Sequence, residues 1–112
     1  MAASNYAMIL VELQRFEEAK SLLRKTIPVA RRVLGECDDL TLRMRTIYAR
    51  VLYRGDDATL DDLCEAVNTL EETTRTARRV LGGAHPLTTV IENTLRNART
   101  KLRIAGDTIL LT

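Results

Sequence analysis

Apolar residues recur along the chain at intervals of three and four, and nowhere do they alternate with polar ones over the length of a strand, which predicts helices throughout. The first apolar-periodic segment runs from about Ser4 to Leu13 and the second from Phe16 to Leu34. A second pair runs from Leu40 to Arg54 and from about Leu60 to Leu81. A fifth segment opens at His85-Pro86, where proline suits a first helical turn, and carries Ile91, Leu95, Ala98 and Leu102 on one face. Its other faces hold Glu92, Asn93, Arg96, Asn97, Arg99 and Lys101, as a helix closing the end of a stack requires. Gly35 and Gly82 stand where left-handed caps would end the longer helices, with Arg doublets suited to the negative end of the helix dipole. Pro28, inside the second segment, predicts a kink or break near Thr26.

Comparison of the chain with itself explains this layout. Ala30-Arg31-Arg32-Val33-Leu34-Gly35 recurs 47 residues later as Ala77-Arg78-Arg79-Val80-Leu81-Gly82, and the match extends upstream through the pairs Ala19/Ala66, Leu23/Leu70 and Thr26/Thr73. Farther upstream the offset is 42 residues, which pairs Ala7 with Ala49 and Leu10 with Leu52. About five extra residues therefore enter near Gly55 to Asp62, a stretch of turn chemistry that Gln14-Arg15 matches in the first copy. A unit of 42 residues, interrupted at its turn, accounts for both offsets.

Composition narrows the function. The chain is 46% apolar and 29% charged over 112 residues, which reads as one soluble, globular domain with no membrane-spanning run. Its opening, Met1-Ala2-Ala3-Ser4-Asn5, lacks the basic and apolar regions of a secretory signal, and this places the protein in the cytoplasm. Cys37 and Cys64 have no CxxC spacing and no histidine cluster beside them, so they read as reduced thiols and neither a metal nor another cofactor is implied. A net charge of +2 argues against nucleic acid, although Arg outnumbers Lys fourteen to three and suits capture of carboxylates. His85 is the single histidine and has no nucleophile paired with it; its place before Pro86 reads as a helix start. Asp56, Asp57, Asp61 and Asp62 lack the ligand spacing of a calcium loop and read as a soluble turn, with Asp61 or Asp62 favouring a helix N-terminus. Tyr6, Phe16, Tyr48 and the spaced leucines read as core.

The strings Gln14-Arg15-Phe16-Glu17-Glu18-Ala19, Arg31-Arg32-Val33-Leu34-Gly35 and Arg79-Val80-Leu81-Gly82-Gly83-Ala84-His85-Pro86-Leu87-Thr88 resemble the tetratricopeptide repeats of the kinesin light chain family. The resemblance spans approximately residues 3 to 103. The first copy departs from it with Asp38-Asp39 in place of His-Pro, and Thr46-Ile47 stand where an Asn pair belongs; Asn93 alone matches that pair. Fold does not carry function with it, so motor-cargo activity does not transfer.

In such arrays the first helix of each pair lines a concave groove. That implication, combined with helical spacing, nominates Arg43, Thr46, Arg50, Tyr53 and Arg54 on the third helix. On the fifth it nominates the stripe Asn93, Asn97 and Lys101, facing the first set.

The expected fold is an all-α tetratricopeptide-like solenoid of antiparallel helix hairpins, about two repeats plus a C-terminal capping helix. Residues 1–104 form the domain, with repeats at 4–38 and 40–83, a capping helix at 86–103 and a tail at 105–112. The expected function is non-enzymatic: a scaffold that binds a peptide, preferentially acidic, or a helical protein partner in the concave groove. The alternative is an oligomerisation segment or a piece of a longer array, since no polar helix precedes the first and its open end invites self-association. The apolar Ile109-Leu110-Leu111 would cover some of that surface.

Overall fold

Two glycines set where the long helices stop. Gly35 and Gly82 adopt φ of 95° and 91°, a region that costs a residue with a Cβ about 1–2 kcal/mol. Each donates its backbone N–H back to the helix just ended, Gly35 to Ala30 and Arg31 and Gly82 to Arg78. The computed structural model describes residues 2–12 and 15–111. Within them run α1 (Ala2–Glu12), α2 (Phe16–Val33), α3 (Asp39–Arg54), α4 (Leu60–Val80) and α5 (Pro86–Leu111), with no strand among the described residues. The all-α hairpin solenoid is the observed architecture.

Helix starts also follow from side-chain chemistry. Asp38 caps α3 by accepting from the Leu40 N–H at 2.9 Å. Thr59 and Asp62 form a reciprocal capping box at the start of α4, each side chain accepting from the other's backbone N–H at 3.1 Å. His85 Nδ1 accepts from the Leu87 N–H at 3.0 Å, so the histidine starts α5. Asp62 is thus the carboxylate that serves the α4 N-terminus. The first turn expected at Gln14-Arg15 lies partly outside the described residues.

Three features differ from expectation. The α2 helix runs through Pro28 without a break, because the exposed proline forfeits one ladder bond, at the Arg24 carbonyl, while the flanking turns stay closed. Thr26 Oγ1 donates to the Leu22 carbonyl at 2.7 Å in the turn before it. The α5 helix continues to Leu111 instead of ending near Arg103, since Gly106 lies in the helix interior without stopping it. Tyr6 is 52% exposed and so is not core, while Ala7 and Leu10 beside it are buried. Its counterpart 42 residues on, Tyr48, is only 8% exposed beneath Arg24 of α2; no described helix covers Tyr6 on that side. The cover expected from Ile109, Leu110 and Leu111 falls on side chains outside the described residues.

Each helix packs on the next, and α3 also touches α1 and α5. The core is a row of small and aliphatic residues at helical spacing: Ala19, Leu23 and Ala30 on α2, Leu63, Ala66, Leu70 and Ala77 on α4, Ile91, Leu95 and Ala98 on α5. The α3 helix is buried on most sides, from Leu42 and Met44 to Val51 and Leu52. This stacking puts the first helices of successive pairs, α1, α3 and α5, side by side on one face. The second helices of the pairs, α2 and α4, lie on the other and, among the described residues, make no close backbone contact with each other.

Candidate functional site

The face shared by α1, α3 and α5 carries two connected clefts. The first, of about 560 Å³, is lined by Arg50, Tyr53 and Arg54 of α3 and by Val90, Asn93, Thr94 and Asn97 of α5. The second, of about 270 Å³, is lined by Asn5 and Met8 of α1, by Leu40, Arg43, Thr46, Ile47 and Arg50 of α3, and by Leu87 and Val90 of α5. Arg50 and Val90 belong to both, so the two form one groove across the three helices. Among the described residues no carboxylate lines either part.

Helical spacing explains the register. Arg43, Thr46, Arg50, Tyr53 and Arg54 follow one stripe of α3, and Asn93 and Asn97 are one turn apart on α5. Arg50 Nη2 donates to Thr94 Oγ1 at 3.3 Å, and the Thr94 hydroxyl in turn donates a hydrogen bond to the Val90 carbonyl at 2.8 Å. This chain ties the guanidinium to the α5 wall with further N–H donors left over. The Lys101 ammonium donates to the Tyr53 carbonyl in the last turn of α3, where a cation meets the negative end of the dipole.

The nominated residues divide by what they have free. Arg54 and Asn97 are exposed at the groove, and Asn93 is exposed with its Oδ1 accepting from Arg96 at 3.3 Å. Arg43 is held in its own helix by Asp39, Nε to Oδ2 at 2.6 Å. Thr46 is buried, its hydroxyl donated to the Leu42 carbonyl at 2.8 Å, and it forms wall. Tyr53 is 8% exposed and likewise gives the groove a side. Lys101 does not line the cleft but braces α3 against α5.

Sequence reasoning passed over the apolar floor of Met8, Leu40, Ile47, Leu87 and Val90, and over Asn5. The signal was present in the offset, since Val90 falls 47 residues after Arg43 on the equivalent face. It also passed over Arg45, which is 5% exposed and pairs with Glu72 of α4 at 2.9 Å. Burial pulls the Arg45 guanidinium below the usual arginine range, against the pull of Glu72. Beside it Arg24 Nε donates to the Tyr48 hydroxyl at 3.0 Å, and that hydroxyl donates to Glu65 Oε2 at 2.6 Å. Burial, reinforced by the bond to Glu65, pushes the Tyr48 phenol up.

Among the described residues no group of three or more His, Cys, Asp or Glu side chains could hold a metal ion. Cys37 and Cys64 are exposed free thiols. No helix of the described residues is long and apolar enough to cross a membrane.

The geometry described is a hairpin stack with its first helices aligned along a groove, and the family model of the tetratricopeptide repeat matches residues 1–39. Residues 1–39 are thus similar to a tetratricopeptide repeat. The matched span holds α1, α2 and the turn into α3, and α3 with α4 restates that hairpin 42 to 47 residues on. No curated protein and no solved structure matches the chain. Tetratricopeptide repeats in general mediate protein–protein interaction and are not catalytic.

Proposed function

We propose that this tetratricopeptide domain is a cytoplasmic, non-catalytic scaffold of the kinesin light chain-like subtype, binding an extended acidic peptide of a protein partner in the groove of α1, α3 and α5. The observation that carries the proposal is the composition of the groove. Arg50 and Arg54 stand on one wall and Asn93 and Asn97 on the other, around a cleft lined by no carboxylate. Guanidinium forks suit peptide carboxylates, and asparagine amides both donate to and accept from an extended backbone. The apolar floor would take one or two side chains between the charges.

The test is a titration of the isotopically labelled chain with a proline-containing acidic peptide, which stays extended, followed by amide chemical shifts. Shifts concentrated on Arg50, Arg54, Asn93 and Asn97 are expected. Shifts confined to α2 and α4, or none at millimolar peptide, would refute the groove as the site. Concentration-dependent mass without peptide would instead favour the oligomerisation reading.

A further inference from the structure

A second groove lies between α4 and α5, on the opposite side of α5 from the concave face and unrelated to the function proposed above. It has a volume of about 610 Å³ and is lined from α4 by Glu71, Thr74, Arg75 and Arg78 and from α5 by residues between Glu92 and Arg103. Five arginines, 75, 78, 96, 99 and 103, line it against two glutamates. Arg78 pairs with Glu92 at 2.8 Å and Arg99 with Glu71 at 3.4 Å, while Arg75, Arg96 and Arg103 make no ion pair among the described residues. The groove floor includes Leu95, 6% exposed.

The same chain shows how such a place is filled one unit earlier. Alongside α3 lies α4, which presents Glu65 and Glu72 to it: Glu72 takes Arg45 at 2.9 Å and Glu65 takes the Tyr48 hydroxyl at 2.6 Å. Arg24 and Arg31 of α2 line the far side of that junction. Counting 47 residues on, the α3 positions Ala49 and Leu52, both buried, become Arg96 and Arg99 on α5, both exposed. The place beside α5 therefore keeps the shape of the α3 junction but exchanges apolar contacts for charge.

We infer that this groove docks an acidic amphipathic helix supplied by a partner, seated alongside α5 as α4 is seated alongside α3. The lining stretch Glu92 to Arg103 is roughly 17 Å long at helical rise, room for about three turns. The occupant would set one or two aliphatic side chains over Leu95 and carboxylates one or two turns apart toward Arg75, Arg96 and Arg103. A phosphate backbone is less suited, because its charges run along the whole strand and would meet Glu71 and Glu92, whereas a helix can set its carboxylates only opposite the arginines.

The probe is a fluorescein-labelled designed helix of about sixteen residues, roughly 24 Å long and so spanning the roughly 17 Å to be covered with about a turn to spare, with leucine on one face and glutamate flanking it. Binding is read by anisotropy at physiological salt. Arg96→Glu and, separately, the more peripheral Arg103→Glu should each weaken it about tenfold or more, as loss of a shielded charged hydrogen bond does. Arg50→Glu in the concave groove should leave it within twofold. Thermal melts confirm that each variant is folded. The inference is overturned by absence of binding, by equal binding of a proline-broken probe, or by variants at Arg96 and Arg103 that bind as the parent does. A single-stranded oligonucleotide displacing the probe with a steep salt dependence would overturn it in favour of nucleic acid. Occupation of the groove by a second copy, seen as dimeric mass without probe, would overturn it too.

Discussion

At the scale of single residues, the side chains that fix the ends of helices are also those that set the response to acid. Asp62 accepts from the Thr59 N–H, and that bond holds its carboxylate below the usual aspartate range. A lowered folded value means that the stabilisation from Asp62 is complete above the ordinary aspartate range and is lost as the pH falls through the folded value. Thr59→Ala should cost about 1 kcal/mol in urea unfolding at neutral pH, as N-cap losses do. Asp62→Asn should flatten the decline in melting temperature on the acid side; an unchanged acid limb would remove the capping box from the account. Gly35, Gly82 and His85 could be read from residue type and position, and the carboxylate at the start of α4 could be narrowed to Asp61 or Asp62, because each chemistry is local. The burial of Arg45 could not, although Thr41, Arg45, Tyr48 and Leu52 share a stripe and are all buried. A charge on an otherwise covered stripe announces a partner only when the neighbouring helix supplies one, and Glu72 lies 27 residues away.

At the scale of elements, periodicity and the internal repeat located all five helices, since each has an apolar stripe and a local stop. Where the element differed from its sequence, tertiary packing outweighed local preference. Pro28 is a strong breaker in isolation, yet Leu23 and Ala30 on either side of it are buried and hold α2 in one piece. Pro28→Ala should restore a donor to the Arg24 carbonyl and raise stability by about 1–3 kcal/mol, up to the full difference between proline and alanine in a helix interior. Chemical denaturation measures this, and a loss of stability would show that the ring itself supports the contacts around Ile27 and Arg31. The extension of α5 past Arg103 was hidden for the converse reason. Gly106 resembles a stop, but no residue after it reverses the chain within the helix that reaches Leu111.

At the scale of the whole molecule, the described chain is a stack 46 Å by 30 Å by 21 Å in which contacts run between successive helices and along the row α1, α3, α5. Such a stack offers surfaces and no enclosed chamber, and its chemistry is that of its side chains in shallow grooves. The concave stripe was legible as far as helical spacing reaches: Arg50, Tyr53, Arg54, Asn93 and Asn97 do come together around one cleft. What spacing could not show is that the Arg43 charge is already paired with Asp39, that the Thr46 hydroxyl is given to the Leu42 carbonyl and that Lys101 is tied to the Tyr53 carbonyl. Under the proposed function, binding energy in the groove would therefore rest on Arg50, Arg54 and the two asparagines. The most direct measurement is the affinity of an extended acidic peptide for the parent chain and for Arg50→Glu and Asn97→Ala, by fluorescence at low and physiological salt. The account predicts binding that weakens with salt, falls about tenfold or more with Arg50→Glu, and falls measurably with Asn97→Ala. Binding unchanged in both variants, or no binding at either salt, would contradict it.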